Sequence, residues 1–171
     1  MPTIPSTFDE QIAAAARQYL PEIDWRLLKA QYFQESRLDP QARSPAGAMG
    51  IAQFMPATWR ETCGMLQYPP EASAYDPVYA IPGGAHYMRR MRRLWSKPEV
   101  QSPEERHRFA LASYNAGGGN IQRAWRLAGK PGHWWAVEPY LPEVTGRHAD
   151  ETITYVARVY RWFEQLKREA A

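Results

Sequence analysis

The chain of 171 residues has one cysteine, Cys63, which excludes an intramolecular disulfide framework and any multi-cysteine zinc site. It has no apolar run of about 18 residues, so no transmembrane helix is written into it. Met1 to Ile12 carries no basic leader, and the apolar stretch Ile12–Ala16 is short and bounded by Glu10 and Arg17. No signal peptide is expected, and the chain is expected to be made as a soluble cytoplasmic product. Its histidines, His86, His107, His133 and His148, lack metal-ligand spacing, and neither a metal nor another cofactor is expected. Alternating β-branched runs are also missing, which leaves little or no sheet. Charge of one sign is scarce: 21 Lys and Arg against 18 Asp and Glu leave a net charge of +3. That balance tolerates an anionic partner without demanding one.

What the chain has in quantity is aromatic rings. Seven Trp, ten Tyr and five Phe make up 13% of a chain whose mean hydropathy is −0.60. Such rings either offer stacking surfaces to sugars or bases or fill an irregular helical core. The length suits one domain on a prior of roughly 100–200 residues per domain, and a chain of this size hides roughly 70% of its extended surface on folding.

Helical signals recur. Thr7-Phe-Asp-Glu10 has the form of a capping box opening a helix through Tyr19. Asp24 caps a second helix from Trp25 to about Ser36, with Leu27, Leu28, Gln31, Tyr32 and Glu35 near one face. Ser44–Gly50 reads as a loop, Pro56–Leu66 as a third helix and Gln67–Tyr75 as a connector. A fourth helix is predicted from Pro77 to Trp95 with Gly83-Gly84 as a weak spot. Ser102-Pro-Glu-Glu105 is a second capping box, whose helix reaches Tyr114 or Asn115 before Gly117-Gly118-Gly119 breaks it. Helix resumes over Asn120–Leu127, Lys130–Gly146 is irregular, and a final helix runs from Asp150 or Thr152 to about Arg168. The prediction is an all-α domain.

One constellation is far more specific than the rest. Glu35-Ser36 is followed by Ser-Pro-x-Gly-Ala-x-Gly-Ile-Ala-Gln-Phe-Met-Pro-x-Thr-Trp over Ser44–Trp59, then by Ser113-Tyr-Asn-Ala-Gly117 and Glu151-Thr-x-x-Tyr155-Val. In that order these segments resemble the catalytic domain of the soluble lytic transglycosylases, relatives of goose-type lysozyme that cut peptidoglycan. The resemblance spans roughly Leu20–Phe163. It implies a single lysozyme-like catalytic domain over residues 1–171, of about seven to nine helices, acting on peptidoglycan glycan strands.

Glu35 carries chemistry on physical grounds as well. A carboxyl near the C-terminus of an apolar helix meets both desolvation and the negative end of the helix dipole, which favour its protonated form. A neutral carboxylic acid is what protonation of a glycosidic oxygen requires. The bland alternative is a pairing of Glu35 with Arg37 or Arg43 at a helix end. Asp39, four residues on and before Pro40, is the obvious second carboxylate, but its place favours organising a turn.

The resemblance implies that one acid suffices. Glu35 protonates the leaving oxygen, the N-acetyl carbonyl of N-acetylmuramic acid stabilises C1, and the same carboxylate then takes the proton of the 6-hydroxyl as a 1,6-anhydro ring closes. Carried over position by position, Ser36 steadies the carboxyl, and Gln53 and Met55 face the substrate. Tyr114 hydrogen-bonds near the acetamido group with Asn115 beside it, Tyr155 lies near the carboxyl, and Glu151 binds substrate or fixes the site. Gly47–Gly50 lets the backbone approach the sugar. The chain departs from the family at Ser113, where alanine is usual. Ala52 in Gly-Ile-Ala-Gln either widens the cleft or is compensated by Phe54, and Ala80–Gly83 is expected to interrupt a helix start.

Other signals are weaker. Arg89, Arg90, Arg92 and Arg93 form one helix arc, read first as a solvated face; nucleic-acid binding is disfavoured at so low a net charge. Trp134-Trp135 either lines a sugar subsite or pins a loop to the core. Tyr155–Lys167 is amphipathic and expected to pack on the domain. The overall expectation is a monomeric phage endolysin or virion-associated lysin, delivered to the wall by a holin, a phage particle or a secretion system. The rivals are a muramidase-type hydrolase on the same fold and a non-catalytic wall-binding protein.

Overall fold

Prolines and capping side chains set most helix starts in the computed structural model, which describes residues 2–169. Its helices are α1 (Asp9–Tyr19), α2 (Trp25–Ser36), α3 (Pro56–Leu66), α4 (Pro77–Leu94), α5 (Pro103–Ala116), α6 (Gly118–Leu127), α7 (Leu141–Thr145) and α8 (Ala149–Glu169). Among the described residues there is no strand, only two isolated bridges, Arg43 with Met49 and Met49 with Phe54. Asp24 accepts the Arg26 N–H at 2.9 Å ahead of α2, and Ser102 accepts the Glu105 N–H at 3.3 Å ahead of α5.

Three local expectations are corrected. The Thr7–Glu10 box does not form: Phe8 is the N-cap of α1, and no side chain caps it. Gly117 alone breaks the α5–α6 run, at φ +86°, while Gly118 and Gly119 already belong to α6. Residues 134–148 are built from three 3-10 turns and α7 rather than irregular coil.

The chain divides into two compact units, with the boundaries inside α4 and α8. Unit 1 comprises the residues up to Tyr87 and those from Val159 on; unit 2 is Met88–Arg158. At the centre of unit 1, every residue of α2 from Leu27 to Phe33 is buried, so this helix is enclosed on all sides rather than on one face. Lys29 is buried with them and reaches Asp9 Oδ1 of α1 at 2.6 Å.

Gly83 and Gly84 are no weak spot, since α4 continues through them and through Pro82. They are where α4 packs most closely. A Cβ on Gly84 would strike the Tyr32 hydroxyl and lie 2.9 Å from the Ala52 Cβ, and Gly83 faces the Trp59 ring. Contact that close is available only to glycine, and it outweighs glycine's poor helix propensity. Ala52 is itself fully buried at this contact, so its small side chain serves the packing of α4 rather than the width of a cleft.

Unit 2 holds an aromatic core. The Trp95 ring stacks on Phe109 at 4.4 Å between centroids and meets Trp125 edge-on at 5.7 Å, while Trp134 meets Phe109 edge-on at 5.7 Å. Much of the aromatic excess is therefore structural filling. The arginine arc is corrected in part: Arg93 is exposed, but Arg92 is buried and donates to the Pro103 carbonyl at 3.3 Å.

Candidate active site

Helix α2 delivers Glu35 in its last turn. Arg37 and Leu38 follow in left-handed backbone (φ 60° and 63°), which stops the helix and turns the chain away. Glu35 is half-buried there. Arg37 lays its guanidinium over Phe33 at 4.6 Å and Trp162 at 5.0 Å. Next to Glu35 on the same helix, the Tyr32 phenol is fully buried and donates to the Ile81 carbonyl at 2.6 Å. Burial first, then electrostatic interaction with Tyr68 and Glu35, push that phenol well above its ordinary range, against an opposing hydrogen bond from the Ala85 backbone. Tyr32 is thus a neutral donor joining α2 to α4, a role that buried-face periodicity did not reveal.

The loop after α2 is held from within. Met49 and Phe54 exchange backbone hydrogen bonds at 2.9 and 3.0 Å, and the Gly50 N–H reaches the Ala42 carbonyl at 2.8 Å. Ser44 Oγ accepts the Ala48 N–H at 3.0 Å. Gly50 stands at φ +71° with its Cα against the Ala74 carbonyl, where a Cβ would collide, so this glycine serves the loop's own packing. Gly47, at φ +91°, has open space around it.

Gln53 and Ser36 meet this loop. Gln53 is in left-handed backbone (φ 51°), and its Nε2 donates to Gly50 O at 2.9 Å and to Ala42 O at 3.3 Å. The Ser36 hydroxyl donates to the Ile51 carbonyl at 2.9 Å, with the Tyr32 carbonyl 3.2 Å away. Ser36 therefore ties the helix end that bears Glu35 to the loop that bears Gln53. Met55 is exposed just before α3. Asp39 is exposed, and its Oδ1 accepts the Gln41 N–H at 2.8 Å, a turn-organising contact.

In unit 2, Tyr114 and Asn115 end α5. Asn115 Oδ1 accepts the buried Thr152 hydroxyl of α8 at 2.8 Å at the edge of a cleft of about 290 Å³. Asn115 and Glu151 line this cleft together, with Asn120, Thr145, His148 and Thr152. Glu151 is exposed and sits 3.7 Å from His148 Nδ1. Tyr155 is buried, one turn along α8 from Glu151. Thr152 and His148 belong to this constellation and were not singled out in the sequence; the Glu-Thr pair inside the last motif was the available signal. Among the described residues no three of His, Cys, Asp and Glu group closely enough to hold a metal ion, and no helix is long and apolar enough to cross a membrane.

Known proteins resemble this arrangement in sequence and fold. The membrane-bound lytic murein transglycosylase F of Photobacterium profundum is 33% identical over 165 residues, covering 88% of this chain and 30% of that protein. The enzyme of the same name from Salmonella arizonae is 34% identical over 166 residues, covering 92% of this chain and 30% of the relative. The chain thus spans under a third of the length of these curated relatives. In structure it resembles the 70 kDa soluble lytic transglycosylase SLT70 of Escherichia coli, with a TM-score of 0.70 and 26% identity over 94% of this chain and 24% of the other. The Transglycosylase SLT domain model matches residues 11–136, well over half of the sequence, and the chain belongs to that family.

Proposed function

We propose that this chain is a peptidoglycan lytic transglycosylase working as one catalytic domain, with Glu35 as its acid and base. Glu35 gives its proton to the oxygen of the β-1,4 bond between N-acetylmuramic acid and N-acetylglucosamine. The acetamido carbonyl of the muramic residue supports C1 as that bond breaks. Glu35, now a carboxylate, takes the proton of the muramic 6-hydroxyl while its oxygen bonds to C1, so the carboxyl is restored and no water is consumed. This substrate-assisted route is among the exceptions to the two-carboxylate rule.

The observation that carries this reading is the placement of Glu35: half-buried in the last turn of an enclosed helix, with Ser36 tied to the loop of Gln53. Gln53 spends its amide hydrogens on that loop, so its carbonyl oxygen is the group left to meet a sugar. Met55 is assigned to the substrate's apolar side. Tyr114, Asn115, Glu151 and Tyr155 are assigned to substrate binding from the family motif, with Asn115 and Glu151 sharing a cleft. The working unit is a monomer that acts on the cell wall. The curated relatives are named membrane-bound, so the phage-lysin expectation draws no support from them.

Mass spectrometry of digested sacculi tests the proposal. Ends bearing 1,6-anhydro-muramic acid are expected, and Glu35→Gln should abolish their release. Reducing ends would instead identify a hydrolase, a reading against which the turn-bound Asp39 already weighs.

A further inference from the structure

The structure separates the two rings of Trp134-Trp135. Trp134 is buried against Phe109, whereas Trp135 is 68% exposed, more than any other large hydrophobic residue among those described. Exposure of one apolar side chain is ordinary; what is unusual is how firmly this one is mounted. The Trp134 N–H donates to Glu105 Oε2 at 2.6 Å, and the 3-10 turn closes with Val137 N–H on Trp134 O at 2.8 Å. Gly132 presses against the Glu99 carbonyl where a Cβ would not fit. Glu105 is the last residue of the capping box, and its carboxylate turns away from the helix start to serve this segment.

The exposed indole is not alone. The His133 ring lies nearly parallel to it, at 20° and 6.1 Å between centroids, and His133 Nδ1 is 4.0 Å from Glu105 Oε1. The site is a fixed flat apolar face with an imidazole and a carboxylate at its rim. A pyranose ring has the matching form: one face of C–H bonds to lie on an indole, and equatorial hydroxyls and amides at its edge for polar side chains. A rigid ring gives such contact at low entropic cost.

We propose that Trp135, flanked by His133, is a second saccharide-binding platform that holds the glycan of intact peptidoglycan. The occupant's identity rests on the proposed function. Trp135 is absent from the residues lining the Asn115–Glu151 cleft, so the proposed contact is separate from that cleft. A second contact on one strand raises the effective concentration of the catalytic groove along that strand.

The test uses the full chain carrying Glu35→Gln, sedimented with purified sacculi. Trp135→Ala is expected to weaken retention about 5-fold, within the range of about 2- to 10-fold that corresponds to an aromatic contact of about 0.5–1.5 kcal/mol. Trp135→Phe should keep most of the retention, and His133→Ala, which leaves the indole in place, should weaken it about 2-fold. In the chain with Glu35 intact, Trp135→Ala should leave turnover of a short soluble muropeptide unchanged. The proposal is overturned if Trp135→Ala retains sacculi like the parent, if short-substrate turnover falls as far as retention, or if the substitution converts a dimer to a monomer. Retention is read without turnover, so anhydro-muropeptide release that survives Glu35→Gln would defeat the catalytic reading alone.

Discussion

Arg92 Nη1 lies 3.1 Å from His107 Nδ1, and both side chains are buried in unit 2. A guanidinium has only donors, so the imidazole must accept through Nδ1 and stay neutral. Burial first, then the charges of Arg92 and Arg108, hold His107 well below the ordinary histidine value of 6.5.

The pH dependence of stability follows with a definite sign. Above about pH 6.5 neither the folded nor the unfolded chain binds a proton at this position. Below it only the unfolded chain does, so the folded state loses up to about 1.4 kcal/mol per pH unit until the lower folded pKa is reached. Thermal melts between pH 7 and pH 5 should therefore fall more steeply for the parent chain than for His107→Gln. Parallel curves would show that the pair does not set this slope.

Ser113 offers the acceptor for the Trp95 indole N–H at 2.8 Å, with both residues fully buried. Ser113→Ala restores the residue usual in the family but strands that N–H, at a cost of about 1–3 kcal/mol. For a chain of this length the melting temperature should drop by roughly 2–12 °C. Ser113→Ala together with Trp95→Phe, which removes the donor, should not show a second loss from the missing hydrogen bond.

Gly47 and Gly50 separate strain from collision. Both have positive φ, but a side chain on Gly47 meets open space and one on Gly50 meets the Ala74 backbone. Gly47→Ala should cost about 1 kcal/mol from backbone strain alone. Gly50→Ala should cost more than about 3 kcal/mol, since backbone must move. Urea denaturation of the two variants reads the difference directly.

Ser36→Ala removes the donor to the Ile51 carbonyl, in a residue that is itself fully buried. The expected destabilisation is about 1–3 kcal/mol. Because the bond ties the Glu35 helix end to the Gln53 loop, sacculus clearing should fall further than the loss of folded protein explains. Activity normalised to the folded fraction, measured below the melting temperature, checks this.

How much could be read in advance depended on whether the deciding contact was local. Helix α2 begins where Asp24 puts it, and α3 and α5 begin at Pro56 and Pro103, because caps and proline act within one turn. Gly83-Gly84 was misjudged because its partners, Tyr32 and Ala52, are more than thirty positions away in the sequence. The Glu105 carboxylate likewise serves Trp134, twenty-nine positions on, so half of the capping box was redirected. In the candidate site, the residue types and order were plain, but the bonds that occupy Ser36 and Gln53 belong to a loop fold that no short-range pattern encodes. Trp134 and Trp135 are chemically identical neighbours, and only the packing of Phe109 decides which one turns inward.

Trp162, near the far end of the sequence, donates its indole N–H to Gln34 Oε1 at 2.9 Å, meets Phe33 edge-on and lies under Arg37. The last turn before the proposed acid is therefore clasped by a residue 128 positions beyond Gln34. A chain cut short of that tryptophan would bear every motif and still lack the clasp, so the setting of the carboxyl draws on α8 as well as on the segment that carries it.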